Sequence, residues 1–162
     1  MNNPKDKIFS LEELAPILQK SRDNNKKFVF TNGCFDIIHT GHTRYLFEAR
    51  QAGDFLVVGV NSDRSISQIK GDKRPIIKLD ERMEILASLY FVDFVFSFDE
   101  PDPCNALRKL KPDILIKGGD WSIDQVVGKE IVEAYGGKVF TVPEIKGNST
   151  SSIVDIILQN HN

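Results

Sequence analysis

Short runs in which nearly every residue is apolar alternate along this chain with longer stretches whose apolar residues recur at helical spacing. Few architectures accept that order. Phe28-Val29-Phe30-Thr31-Asn32-Gly33 and Phe55-Leu56-Val57-Val58-Gly59-Val60 read as strands with no polar side, so both faces of their sheet must be covered. Further strands are expected at 93–98, 113–117 and 138–142. Between them, residues 42–52 place Tyr45, Leu46 and Ala49 at helical spacing, and residues 80–91 open on Asp80 as N-cap with Met83, Leu86, Ala87 and Tyr90 on one face. Helices are also expected near 103–110 and 125–135, with a last one over 149–158 carrying Ile153, Ile156 and Ile157 on one side. Strand and helix in alternation give an α/β fold: one doubly wound parallel sheet of about five strands, helices on both faces, right-handed crossovers, and ligands at the carboxyl ends of the strands.

Ahead of this unit, Ser10-Leu11-Glu12-Glu13 has the capping-box pattern and opens an extra helix to about Asn24, with Pro16 inside it to delay or kink its start. The expected division is a helical extension over 1–26 and the main domain over 27–162. Residues 62–79, polar and including Lys70-Gly71-Asp72-Lys73-Arg74-Pro75, are the longest weakly structured stretch, and long loops in compact domains often carry function.

Composition narrows the classes. The chain has 162 residues, enough for one domain with one good core. Its formal net charge of −2 lacks the basic surplus that a nucleic-acid binder uses to displace counterions. Cys34 and Cys104 form no disulfide framework, so a reducing cytoplasm is expected. No apolar run reaches the ~18–20 residues of a membrane span, and the N-terminus lacks the apolar core of a signal peptide. The expectation is a soluble cytoplasmic protein with no nucleic-acid or membrane partner.

The chemistry gathers where the first strand passes to its helix, in Thr31-Asn32-Gly33-Cys34-Phe35-Asp36-Ile37-Ile38-His39-Thr40-Gly41-His42. This is neither the three-glycine dinucleotide fingerprint nor a Walker A loop. It still suits a phosphate: backbone N–H groups at a helix N-terminus point at an anion, and Gly41 lets it approach closely. Two imidazoles there would donate hydrogen bonds to charge developing on phosphate oxygens. A pair of structural histidines is the plainer alternative, and a zinc site is the other; against zinc, Cys34 is the one soft ligand nearby and no Cys-x-x-Cys accompanies it.

His39-Thr40-Gly41-His42 resembles the His-x-Gly-His signature of the cytidylyltransferase-like nucleotidyltransferase superfamily, whose members share a Rossmann-like fold. The likeness runs through Val60-Asn61-Ser62-Asp63, Lys70-Gly71-Asp72-Lys73-Arg74-Pro75, Lys117-Gly118-Gly119-Asp120 and Ser149-Thr150-Ser151 in family order. Together these motifs resemble the heptose 1-phosphate adenylyltransferases of ADP-heptose synthesis, a step toward lipopolysaccharide. In many bacteria that domain follows a sugar kinase; with no kinase segment in this sequence, the stand-alone form is expected. Two departures stand out. Ser149-Thr150-Ser151 replaces the usual Ser-Thr-Thr and keeps a hydroxyl. Glu144-Ile145-Lys146-Gly147 lacks the Arg that glycerol-3-phosphate cytidylyltransferases carry there, which favours the adenylyl branch.

The resemblance implies transfer of AMP from ATP to a heptose 1-phosphate by in-line attack at the α-phosphorus, with pyrophosphate leaving and no covalent intermediate. It implies His39, His42 and Lys70 as the catalytic set. Thr31, Asn32, Gly33, Cys34, Phe35, Gly41, Gly118, Gly119, Asp120, Ser149, Thr150 and Ser151 would hold the nucleotide, one hydroxyl of the last three serving as helix cap. Asp36, Asn61, Asp63, Lys73 and Arg74 would face the acceptor, with turn-closing or capping the alternative for Asp36 and Asp63. Magnesium is expected on the ATP phosphates, with no protein ligand assigned, and the assembly implied is a homodimer. Alternatives are a cytidylyl- or guanylyltransferase acting on another phosphorylated acceptor, of the glycerol 3-phosphate type, and a non-catalytic nucleotide-binding module.

Overall fold

The computed structural model describes residues 3–119, 122–143 and 149–160. Five strands, β1 (Phe28–Gly33), β2 (Phe55–Asn61), β3 (Phe94–Phe98), β4 (Ile114–Gly118) and β5 (Lys138–Val142), pair in parallel in the order β3-β2-β1-β4-β5. Seven helices accompany them: α1 (Leu11–Asp23), α2 (Thr40–Gln51), α3 (Asp63–Lys70), α4 (Leu79–Ser88), α5 (Cys104–Leu110), α6 (Lys129–Ala134) and α7 (Thr150–Asn160). This is the expected doubly wound α/β sheet. No helix among the described residues is long and apolar enough to cross a membrane.

Period-two alternation divides the strand side chains between two cores. Phe28, Phe30, Val57 and Leu115 pack with Leu14 and Leu18 of α1, Leu107 and Leu110 of α5 and Val132 of α6. Val29, Leu56, Val58, Val60 and Ile116 pack on the other face with Leu46 and Ala49 of α2 and Met83, Leu86 and Ala87 of α4. The N-terminal helix is thus bound into the main core. Ser10 caps it with both halves of the capping box in place, and Pro16 sits within the helix, which starts on time at Leu11.

Several boundaries move for physical reasons. The stretch at 62–79 is helical in its first half: the Ser62 hydroxyl accepts from Ser65 N at 3.2 Å, and Ile66 and Ser65 bury one side of α3. Eight residues with two apolar positions, Ile66 and Ile69, make too short a pattern to read from sequence. Helix α2 starts at Thr40 rather than 42, with His39 as its N-cap. Helix α4 takes Lys78 as N-cap, which leaves Asp80 in the first turn, and it ends at Ser88, so Tyr90 is solvent-exposed. The 125–135 segment divides into a single 3-10 turn at Ile123–Gln125 and α6, with Gly128 between them in the left-handed region.

One buried cation ties the carboxyl ends of the strands together. Arg82 of α4 is fully buried, donating from Nη1 to the carbonyls of Cys34 (2.6 Å) and Asn61 (2.9 Å), from Nε to Ile77 O (3.0 Å), and from Nη2 to Asp63 Oδ1 (2.8 Å). The planar guanidinium meets four acceptors on β2, the loop after β1, the start of α3 and the approach to α4, which a lysine cannot span. Arg82→Met should therefore cost about 3–5 kcal/mol by stranding Asp63 and three carbonyls. Urea unfolding checks this, and Arg82→Lys should recover only part of the loss.

A candidate active site at the crevice between β1 and β4

The winding of the sheet reverses between β1 and β4, because α2 leaves β1 toward one face while α5 enters β4 from the other. Beyond the carboxyl ends of these two strands lies a cavity of about 590 Å³, at the place where open α/β sheets take their ligands. Its wall brings together most of the residues singled out in the sequence. Asn32, Gly33, Cys34 and Phe35 come from the end of β1, His39, Gly41 and His42 from the start of α2, and Lys70 from the end of α3. Gly118 and Gly119 come from the end of β4, and Ser149, Thr150 and Ser151 from the start of α7. Asp120 lies outside the described residues.

The histidine pair owes its geometry to the turn before it. Phe35 takes φ 48°, a left-handed conformation rare for a bulky residue, and its ring is buried edge-on to His42 with centroids 5.3 Å apart. His42 in turn lies against His39, ring centroids 3.9 Å apart. Two imidazoles that close cannot both carry charge cheaply. Burial first, then the neighbouring His39 and Lys70 charges, lower the His42 pKa to about 4, with the Ile37 carbonyl pulling the other way. His42 is therefore neutral at physiological pH, a hydrogen-bond donor rather than a cation.

Two helix N-termini converge on the cavity. His39 gives α2 no side-chain cap, and Gly41 and His42 of its first turn line the cavity. At α7, Ser149 is the cap: its Oγ accepts from Ser152 N at 3.0 Å. Thr150 Oγ1 leans on Ile37 O at 3.4 Å, joining α7 to the histidine loop, and Ser151 is exposed.

The residues expected around an acceptor are placed differently. Asp36 is buried, with Oδ1 accepting from the Ile76 and Ile77 N–H groups (2.8 and 2.9 Å) and Oδ2 ion-paired with Arg74. Asn61 Nδ2 donates to Ser65 Oγ at 2.9 Å, and Asp63 pairs with Arg82. These three side chains hold loops in place and are not part of the cavity wall. Lys73 is exposed in the turn after α3, and Thr31 is buried beneath the site.

Tyr45, Lys117 and Gln125 line the same cavity and were not singled out as site residues. Tyr45 reads in sequence as one of the apolar positions of α2. Its hydroxyl turns inward to donate to Ile116 O at 3.3 Å, burial raises its pKa, and its ring lies flat on Gly118. A Cβ on Gly118 would meet that ring at 3.0 Å, so the glycine is what lets the ring form the cavity floor. Lys117 Nζ donates to the Asn32 carbonyl at 3.1 Å, and burial lowers its pKa.

Among the described residues no group of three or more His, Cys, Asp or Glu side chains is placed to hold a metal, and the described cavity wall carries no carboxylate. That donor set builds no resident cation site. It suits a divalent cation that enters on a polyphosphate, bound through phosphate oxygens and water.

Comparison with known proteins bears on this geometry. A family model described as Cytidylyltransferase-like matches residues 30–160. The Bifunctional protein HldE of Geobacter sulfurreducens is 49% identical over 153 residues, which is 94% of this chain and 31% of that protein. The chain thus spans about a third of the length of the curated relatives it matches. The crystal structure of the lipopolysaccharide core biosynthesis protein from Thermoplasma volcanium is 32% identical, with a TM-score of 0.62 over 76% of this chain and 99% of that one. Pantoate-beta-alanine ligase from Francisella tularensis, 19% identical with a TM-score of 0.63 over 89% of this chain and 68% of its own, shares the fold.

Two outcomes follow from the site's packing. Between its folded pKa of about 4 and the ordinary 6.5, His42 takes up a proton only when the chain unfolds, so its contribution to stability is complete above ~6.5 and is lost as pH falls toward 4. An NMR titration of the His42 ring should show a midpoint near 4; a midpoint at 6–7 would contradict the packing. Gly118→Ala should displace the Tyr45 ring and destabilise the fold by about 1–3 kcal/mol, read by thermal melting, with Tyr45→Leu in the same chain restoring much of the loss.

Proposed function

This chain belongs to the cytidylyltransferase-like family, and from that premise we propose that it transfers AMP from ATP to a heptose 1-phosphate, giving ADP-heptose and pyrophosphate. The observation that carries the reading is the stacked His39–His42 pair at the uncapped start of α2, facing a cavity walled by every described nucleotide motif except the buried Thr31. The order of motifs through Lys117-Gly118-Gly119 and Ser149-Thr150-Ser151 supports the heptose branch, as does the similarity to a lipopolysaccharide core biosynthesis protein.

An acceptor phosphate has a second pKa of about 6 and is largely dianionic at neutral pH, so it attacks without a general base. One of its oxygens forms a bond to the α-phosphorus of ATP as the bond to the bridging oxygen breaks, and pyrophosphate carries away the electron pair. What the protein supplies is alignment and stabilisation of the charge that builds up on the phosphate oxygens. His39 and His42 donate hydrogen bonds to that charge. Lys70, exposed at the end of α3, brings a mobile positive charge. The N-terminus of α7 and the backbone from Gly33 to Phe35 border the phosphate chain. Magnesium, held through the ATP phosphate oxygens and water, would offset triphosphate charge. Asp36 and Arg74 serve the acceptor side by holding the 74–77 loop, with Asn61, Asp63 and Lys73 beside it. A homodimer in the cytoplasm completes the reading, resting on the family resemblance.

Pyrophosphate release from ATP, CTP and GTP with D-glycero-D-manno-heptose 1-phosphate of both anomers tests the reading. ATP-selective turnover is expected, reduced roughly 10²–10³-fold in His39→Ala and in His42→Ala. CTP or GTP selectivity would replace the nucleotide, and no release with any sugar phosphate would overturn the acceptor.

A further inference from the structure

Lys117 is a charged residue where the pattern of its strand calls for an apolar one. On β4, Leu115 enters one core and Ile116 the other, so Lys117 falls on the Leu115 face at the last turn of pleat before the cavity. A lysine that merely covers apolar surface extends its ammonium into water. This one turns it inward instead: Nζ donates to the Asn32 carbonyl at 3.1 Å and to Asn32 Oδ1 at 3.4 Å, across the gap between β4 and β1. Both acceptors are neutral. Among the described residues Lys117 has no ion pair, and the described wall of the cavity holds no Asp or Glu to balance it. Burial disfavours its charged form, with the Cys34 sulfur the one opposing influence.

A half-buried ammonium with no counter-ion is unfavourable unless an anion arrives. The cavity it lines is the one with two helix N-termini and the histidine pair, and an ammonium has three N–H donors, of which Asn32 takes two. We propose that Lys117 is a nucleotide-contacting residue, whose remaining N–H meets an oxygen of the nucleotide's phosphate chain at the crevice between β1 and β4. This rests on the nucleotidyl-transfer reading and adds to it a second cation of a different kind. Lys70 stands exposed at a helix end, free to follow the reaction; Lys117 is anchored, so it orients the nucleotide before the acceptor binds.

Calorimetric binding of ATP, AMP and adenosine to the wild-type chain and to Lys117→Met tests this. Methionine keeps the length and apolar stem and removes the charge. Affinity for ATP and AMP should fall roughly ten- to a hundredfold, and affinity for adenosine should stay within about twofold. Equal ATP affinity in a variant that still melts cooperatively overturns the inference while leaving nucleotidyl transfer standing. So does a loss of the same size for adenosine, which would mark a packing defect. A wild-type chain that binds no nucleotide overturns both. If Lys117→Met fails to fold, the wild-type chain is treated with acyl phosphates of AMP and ATP, whose acyl group passes to a lysine amine beside the phosphate as the nucleotide departs. Acylation of Lys117 supports the contact, and acylation confined to Lys70 overturns it.

Discussion

The reversal of winding between β1 and β4 is the constraint from which the rest of the molecule follows. With β1 at the centre of the sheet, the chain first builds outward through β2 and β3, then returns to lay β4 on the other side of β1. Right-handed crossovers then put α2 and α4 on one face and α5 and α6 on the other. No helix can bridge the opening above the two central strands. Into that opening come the ends of β1 and β4, the first turn of α2 and the first turn of α7. A cavity there is a consequence of topology, and only its lining is a matter of residue choice.

The charge around the cavity divides into anchored and exposed groups. Arg82 carries a full positive charge yet sits outside the cavity, spent on carbonyls and on Asp63. Asp36 does the matching work for the 74–77 loop. Both are buried ionic groups whose hydrogen-bonding capacity is mostly taken up by protein, the condition under which such groups are tolerated. The groups that line the cavity are of another sort: a neutral His42 imidazole with His39 against it, the first turns of two helices, an anchored ammonium at Lys117 and an exposed one at Lys70. No described carboxylate opposes them. A polyphosphate fits that distribution better than any cation or apolar ligand does.

Much of this was legible without coordinates. Short apolar runs alternating with helical stretches read as strands buried on both faces, so the parallel sheet, its strand positions and its two helical layers followed from the pattern. The His39-Thr40-Gly41-His42 motif was visible because residues close in sequence at a strand end are necessarily close in space. The helix at Asp63–Lys70 was not visible, because its stability comes from one Ser cap and from burial of Ile66 against the sheet rather than from periodicity. Nor was the part played by Arg82, since a charged residue in an amphipathic helix reads as solvated until its acceptors, which come from four other segments, are in place.

The sequence by itself therefore determined the fold class, the family and the cluster of residues at the end of the first strand, all of which depend on local pattern. Tertiary structure alone decided which polar side chains face the cavity and which are used up in holding it. Asp36, Asn61 and Asp63 share the motif neighbourhood of His39, yet their oxygens and amides are taken by Arg74, Ser65, Arg82 and backbone N–H groups. Lys117 and Tyr45, far from the histidines along the chain or hidden in a helix pattern, reach the cavity because β4 lies beside β1. Hydrogen-bond capacity is assigned by whichever partner folding brings nearest, and that assignment is non-local.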